Sequence, residues 1–103
     1  MTFDELIQSV TQWAEDKDIL KPENAPKQLM KVMEELGETA GAIAKNKNTD
    51  EIMDGIGDTF VTLIILSKQL GLEPTSCLEA AWDEIKNRQG KTINGVFIKN
   101  EQS

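Results

Sequence analysis

The run Phe60-Val61-Thr62-Leu63-Ile64-Ile65-Leu66 constrains this chain more than any other feature. It forms the second half of a segment from about Asp50 to Leu70 that reads as a helix, stopped by Gly71 in the usual position just past a C-terminus. Here the helix is apolar nearly all round, and such a helix is buried on several sides. A chain of 103 residues fits one domain, here residues 1–103. A domain of that size buries only about 60–70% of the surface its unfolded chain exposes. One chain of four helices can hardly surround such a helix, so a homodimer or homotetramer is expected.

Three more helices are legible. The first spans about Phe3 to Asp16, with Thr2 and Glu5 at capping-box spacing and Phe3, Leu6, Ile7, Val10, Trp13 and Ala14 on one face. A mostly polar connection with Pro22 follows. The second spans about Ala25 to Lys45, with Asn24 as expected N-cap, Pro26 in the first turn, and an apolar stripe of Leu29, Val32, Met33, Leu36, Ala40, Ile43 and Ala44. Thr49 or Asp50 is expected to cap the third. The fourth spans about Thr75 to Gln89, with Ser76 and Glu79 at capping-box spacing, a stripe of Leu78, Ala81, Trp82 and Ile85, and Gly90 as its stop. Beyond it, Ile93 and Val96-Phe97-Ile98 flank an Asn94-Gly95 turn signal, which suits a short extended arm or hairpin. The expected class is all-α: a four-helix bundle protomer with a short irregular or extended C-terminal tail, assembling through helices into an oligomer.

Composition narrows the chemistry. With no histidine, neither a histidine-dependent triad nor a histidine-ligated zinc or iron site can form. Cys77 is the sole cysteine, so there is no internal disulfide and no thiolate cluster for zinc, and the residue reads as a small apolar group. A metal site must therefore be all oxygen, which suits magnesium, manganese or calcium. The net charge of −7 argues against a nucleic-acid polymer as partner but leaves room for a small phosphorylated ligand bound through a metal. Asp4 and Glu5 stand where a leader would be basic, and no apolar run is long enough to span a bilayer, so a cytoplasmic protein with no membrane partner is expected.

Glu34, Glu35 and Glu38 cover an arc of roughly 100° on the second helix, opposite the Leu29-Met33-Leu36-Ala40 stripe. Alone they read as a solvated charged face. Asp54 and Asp58 change that reading. Four residues apart, they stack on a face that continues into Val61 and Ile65, so Asp58 sits at the mouth of the buried helix. No Lys or Arg lies between residues 48 and 67 to relieve the repulsion. A cation would, and Glu51 lies on the same face. Gly37, Gly41, Gly55 and Gly57 fall inside the two helices, where each costs about 1 kcal/mol relative to alanine. They let the helices approach closely or leave room for a ligand. Carboxylates converging across an interhelical groove could hold Mg²⁺, with Glu34 as candidate general base. Lys31, Arg88 and Lys91 are the basic complement.

Taken in order, these residues resemble the all-α nucleoside triphosphate pyrophosphohydrolases of the MazG type, over about residues 5–99. The resemblance is carried by Trp13, Gln28-Leu29-Met30-Lys31, Glu34-Glu35-Leu36-Gly37-Glu38, Asp54 to Asp58, Glu84 to Lys91, and Asn94 to Lys99. It looks strongest to the short, single-domain members. The resemblance implies dimers or tetramers, and Mg²⁺-dependent cleavage (Mn²⁺ substituting) of a nucleoside triphosphate, expected to be a deoxynucleoside triphosphate, to the monophosphate and pyrophosphate. It makes Glu35, Glu38 and Asp58 metal ligands with Glu34 assisting, Lys31, Arg88 and Lys91 phosphate contacts, and Trp13 and Gln28 contacts on the nucleoside side. The family pattern ends in ExxD, yet Gly55 stands three residues before Asp58. Asp54 is the preferred substitute ligand; Glu51-x-x-Asp54 is the other repair. Two alternatives remain: a non-catalytic helical oligomer serving as a regulatory or interaction module, and a pyrophosphatase for a phosphoribosyl nucleotide.

Overall fold

A computed structural model describes residues 1–100; the last three residues of the expected domain lie outside the described residues. Helix α1 (Phe3–Asp16) opens in the expected capping box: the Glu5 N–H donates to Thr2 Oγ1 (3.1 Å) and the Thr2 N–H to Glu5 Oε1 (3.0 Å). A single 3₁₀ turn (Pro22–Asn24) leads into α2 (Ala25–Ala44). Asn24 is not the expected side-chain cap. The turn before it already holds its backbone helical (φ −86°, ψ −5°), whereas a capping side chain works from an extended residue. Helix α3 (Thr49–Gln69) is capped by Asn48, whose Oδ1 accepts the Glu51 N–H (2.9 Å), rather than by Thr49 or Asp50.

Helix α4 (Pro74–Ile85) begins earlier than expected because proline fits its first turn, which puts Ser76 and Glu79 inside the helix, and it ends at Ile85 rather than Gln89. Strands β1 (Gly90–Ile93) and β2 (Val96–Lys99) pair antiparallel, Ile93 opposite Val96. Asn94 and Gly95, at φ 51° and 79°, make the tight turn that matches the twist of two paired strands. The tail is thus a hairpin, and the fold is mostly helical with one small sheet.

The core lies where α2 packs along α3 and α1 crosses α3. It contains Ile7 and Ala14 of α1, Ala25 and Val32 of α2, and Ile64 and Ile65 of α3. Each buried polar side chain donates one hydrogen bond: Gln28 Nε2 to Thr62 O (3.1 Å), Gln69 Nε2 to Ile19 O (3.0 Å), and Thr39 Oγ1 to Glu35 O (2.8 Å), while Gln69 Oε1 is buried without a partner among the described residues. Phe3 meets Phe60 edge to face.

Two expected core faces are not core. On α2, the residues turned to α3 are Gln28, Val32, Glu35, Thr39 and Ala42, while Leu29, Met33, Leu36 and Ile43 are about half exposed. The stripe is rotated roughly 60–140° from the contact face, so only Val32 belongs to both. On α4, Leu78, Trp82 and Ile85 are exposed and the helix buries no residue. Among the described residues, no helix is long and apolar enough to cross a membrane.

Candidate metal centre in an interhelical groove

Because α2 meets α3 between its apolar stripe and its acidic face, the edge of the contact is carboxylate on both sides. Glu35 and Glu38 from α2, and Glu51, Asp54 and Asp58 from α3, line one open groove of about 240 Å³. Thr39, Ala42 and Gly55 complete its walls. Glu35 and Asp58 are half-buried, whereas Glu34, Glu38 and Asp54 are exposed.

The helices touch at Gly55. A Cβ there would lie 2.5 Å from Thr39 Oγ1 and 3.3 Å from Thr39 Cβ. Thr39 is buried, β-branched and bonded to the Glu35 carbonyl, so it has nowhere to go. The position where the resemblance leads one to look for a glutamate is therefore the crossing point of two helices. Asp54 and Glu51 both reach the same groove instead. By contrast, a Cβ at Gly37, Gly41 or Gly57 would meet open space.

The electrostatics are unrelieved. Partial burial, then the neighbouring carboxylates of Glu38, Asp58 and Glu34, push the Glu35 carboxyl above its usual range, and Lys31 offsets them only in part. Lys31 is engaged with Glu34 at 3.3 Å. Among the described residues, no three carboxylates converge on a point as a ready-made ligand set. The donors suit Mg²⁺ by type, though not by arrangement. They are all oxygen and like-charged, and that ion keeps several waters and is commonly held by one or two carboxylates together with substrate phosphates.

The expected substrate contacts lie elsewhere. Trp13, half-exposed, lines a shallow apolar hollow on α1 with Val10 and Val61. The buried Gln28 spends its amide on the α3 backbone. Arg88, largely buried, donates from a terminal guanidinium nitrogen to Glu84 Oε1 (3.1 Å). Lys91 sits on β1, opposite Ile98. None of them, and not Lys31, is among the residues lining the groove.

Sequence reasoning missed Thr39 and Ala42, whose role depends on which face of α2 packs. It also missed Lys45 and Lys47, which line a larger hollow of about 550 Å³ adjoining the first. The Lys-Asn-Lys spelling, with asparagine as the residue most tolerant of a left-handed turn after glycine, was the available signal.

Fold and groove together define a mostly helical protein with a carboxylate-lined cleft between two packed helices. No known family's model matches the chain, and no solved structure matches it. A protein of Haemophilus phage HP1, described as an uncharacterized 18.2 kDa protein in the rep-hol intergenic region, is 48% identical over 65 residues. The matched part is 63% of this chain and 39% of that protein, so the chain spans well under half of its relative's length.

Proposed function

We propose that the α2–α3 groove hydrolyses a nucleoside triphosphate, expected to be a deoxynucleoside triphosphate, to the monophosphate and pyrophosphate, with Mg²⁺ as cofactor and Mn²⁺ able to replace it. The observation that carries this reading is that carboxylates from two helices line one open groove, with the Glu35 carboxyl raised by partial burial and then by its acidic neighbours. Glu35, Glu38, Asp54 and Asp58 would hold the metal. The bound ion would neutralise phosphate oxygens and acidify a bound water. Glu34, exposed beside that set and steadied by Lys31, takes the proton from the attacking water as general base. The open groove admits a phosphate chain, and of the expected phosphate contacts Lys31 is the one on α2, where it pairs with Glu34. The protein acts in the cytoplasm as a dimer or tetramer built on its exposed apolar faces.

The test is pyrophosphate release from a panel of canonical and damaged nucleoside triphosphates with Mg²⁺ or Mn²⁺. Turnover by the wild type, lost in Glu38→Gln and Asp58→Asn with helicity intact, is expected. A clean wild-type protein that turns over none of the panel overturns the reading.

One observation favours the non-catalytic helical oligomer instead: the absence, among the described residues, of a converged ligand set. A specific metal site stabilises the folded state by mass action. Mg²⁺ is therefore expected to raise the melting temperature of the wild type and not of Glu38→Gln; equal melting with and without Mg²⁺ would favour the interaction module.

A further inference from the structure

We infer that Lys45 and Lys47 form a polyphosphate subsite at the far end of the carboxylate groove, holding the part of the phosphate chain that leaves as pyrophosphate. The inference rests on the hydrolase reading for its direction but on separate residues for its support.

The two lysines are placed by the turn that ends α2. Asn46 adopts a left-handed backbone (φ 53°). Its N–H donates to Ile43 O (3.1 Å), and the Lys47 N–H donates back to Ala42 O (2.9 Å). This is the paired-bond C-terminal motif in which the chain reverses over the last turn. The reversal brings both Lys45 and Lys47 to one hollow of about 550 Å³. Glu38, Ala42 and Glu51 line this hollow and the carboxylate groove alike, so the two adjoin.

The hollow has room because Gly37 and Gly41 line it without side chains, and a Cβ at either would meet open space. Among the described residues, Lys45 and Lys47 make no ion pair, although Glu34, Glu38 and Glu51 line the same hollow. The lysines reach only the larger hollow, Glu35, Asp54 and Asp58 only the smaller groove, and Glu38 and Glu51 stand in both, an arrangement that suits one elongated ligand bearing a metal at its inner phosphate. Its inner phosphate would lie by the carboxylates of Glu35, Glu38, Asp54 and Asp58, which would hold the metal, and its outer phosphates by the lysines. Lysine serves such phosphates as a mobile point charge. The alternative role, in which the lysines merely complement the negative end of α2, requires no ligand.

The experiment is calorimetric titration of the full chain with inorganic pyrophosphate in the presence of Mg²⁺, alongside steady-state kinetics. Lys45→Ala/Lys47→Ala is compared with Lys17→Ala/Lys21→Ala, which removes the same charge away from the cleft. Roughly tenfold weaker pyrophosphate binding is expected in the first pair only, with KM for nucleoside triphosphate raised more than kcat is lowered. Equal weakening in both pairs, binding unchanged in the first, or no binding by the wild type overturns the subsite. Pyrophosphate binding that depends on the two lysines in a protein that cleaves no nucleoside triphosphate would remove the hydrolase reading and leave the subsite standing.

Discussion

Glu35 lies on the side of α2 that meets α3, half-buried, with Glu38, Asp58 and Glu34 around it and only Lys31 in partial compensation. Its raised folded-state pKa means that the native chain binds its proton more tightly than the unfolded chain does. Above the usual 4.5, therefore, the unfolded state ionises first, and metal-free stability falls as pH rises through the folded value. Glu35→Gln keeps the shape and removes the charge. The metal-free variant should melt higher than the wild type at neutral pH, with the difference vanishing in acid. It should also lose the Mg²⁺-induced rise in melting temperature. Melts of both proteins across the acid-to-neutral range, with and without Mg²⁺, measure this. A difference that stays flat with pH would show that Glu35 is not strained by its neighbours.

The α2–α3 pair turns on one glycine. Replacing a helical glycine by alanine ordinarily gains about 1 kcal/mol. At Gly57, where a Cβ would meet open space, Gly57→Ala should show that gain in a denaturant titration. At Gly55 the new methyl would run into a side chain that cannot retreat. Overpacking of this kind costs about 1–3 kcal/mol, so Gly55→Ala should destabilise despite its better helix propensity. Gly55→Glu, which would restore the literal ExxD pattern, should lower stability further and not raise activity; a gain in turnover would mean the helices can part there. This pair also marks how far the sequence is legible. The helices, the Thr2 cap, the Asn-Gly turn and the acidic residues are readable because each is set by neighbours a few positions away. Which face of α2 packs is not, because its contact face mixes Gln28, Glu35 and Thr39 with Val32. Hydrophobic periodicity points instead to the stripe beside it. For the same reason the carboxylates of Glu35, Glu38, Asp54 and Asp58 could be foreseen in one groove, while Thr39, Lys45 and Lys47 could not.

At the scale of the molecule, the misplaced stripe becomes informative. The Cα radius of gyration is 16.1 Å, whereas a compact chain of this length has about 13 Å. Among the described residues, none of the larger side chains is fully buried. Leu29, Met33 and Leu36 on α2, Ile56, Phe60 and Leu63 on α3, and Leu78 and Trp82 on α4 are all about half exposed or more. Monomeric proteins rarely leave contiguous apolar patches larger than a few hundred Å². The apolar run of α3 raised the same issue in the sequence: too few helices in one chain to cover it. In the assembly proposed above, a second copy would be the cover. Charges placed on the α2 stripe would cost the free chain little, since water already reaches it, but would be buried unpaired in an assembly. Leu29→Lys/Leu36→Lys should therefore stay helical yet sediment as a monomer, while the wild type sediments as a dimer or tetramer and melts at a temperature that rises with protein concentration. If the wild type is itself monomeric at all concentrations, the exposed faces serve another purpose. If the variant assembles as well as the wild type, the interface lies on α3 and α4 rather than on α2.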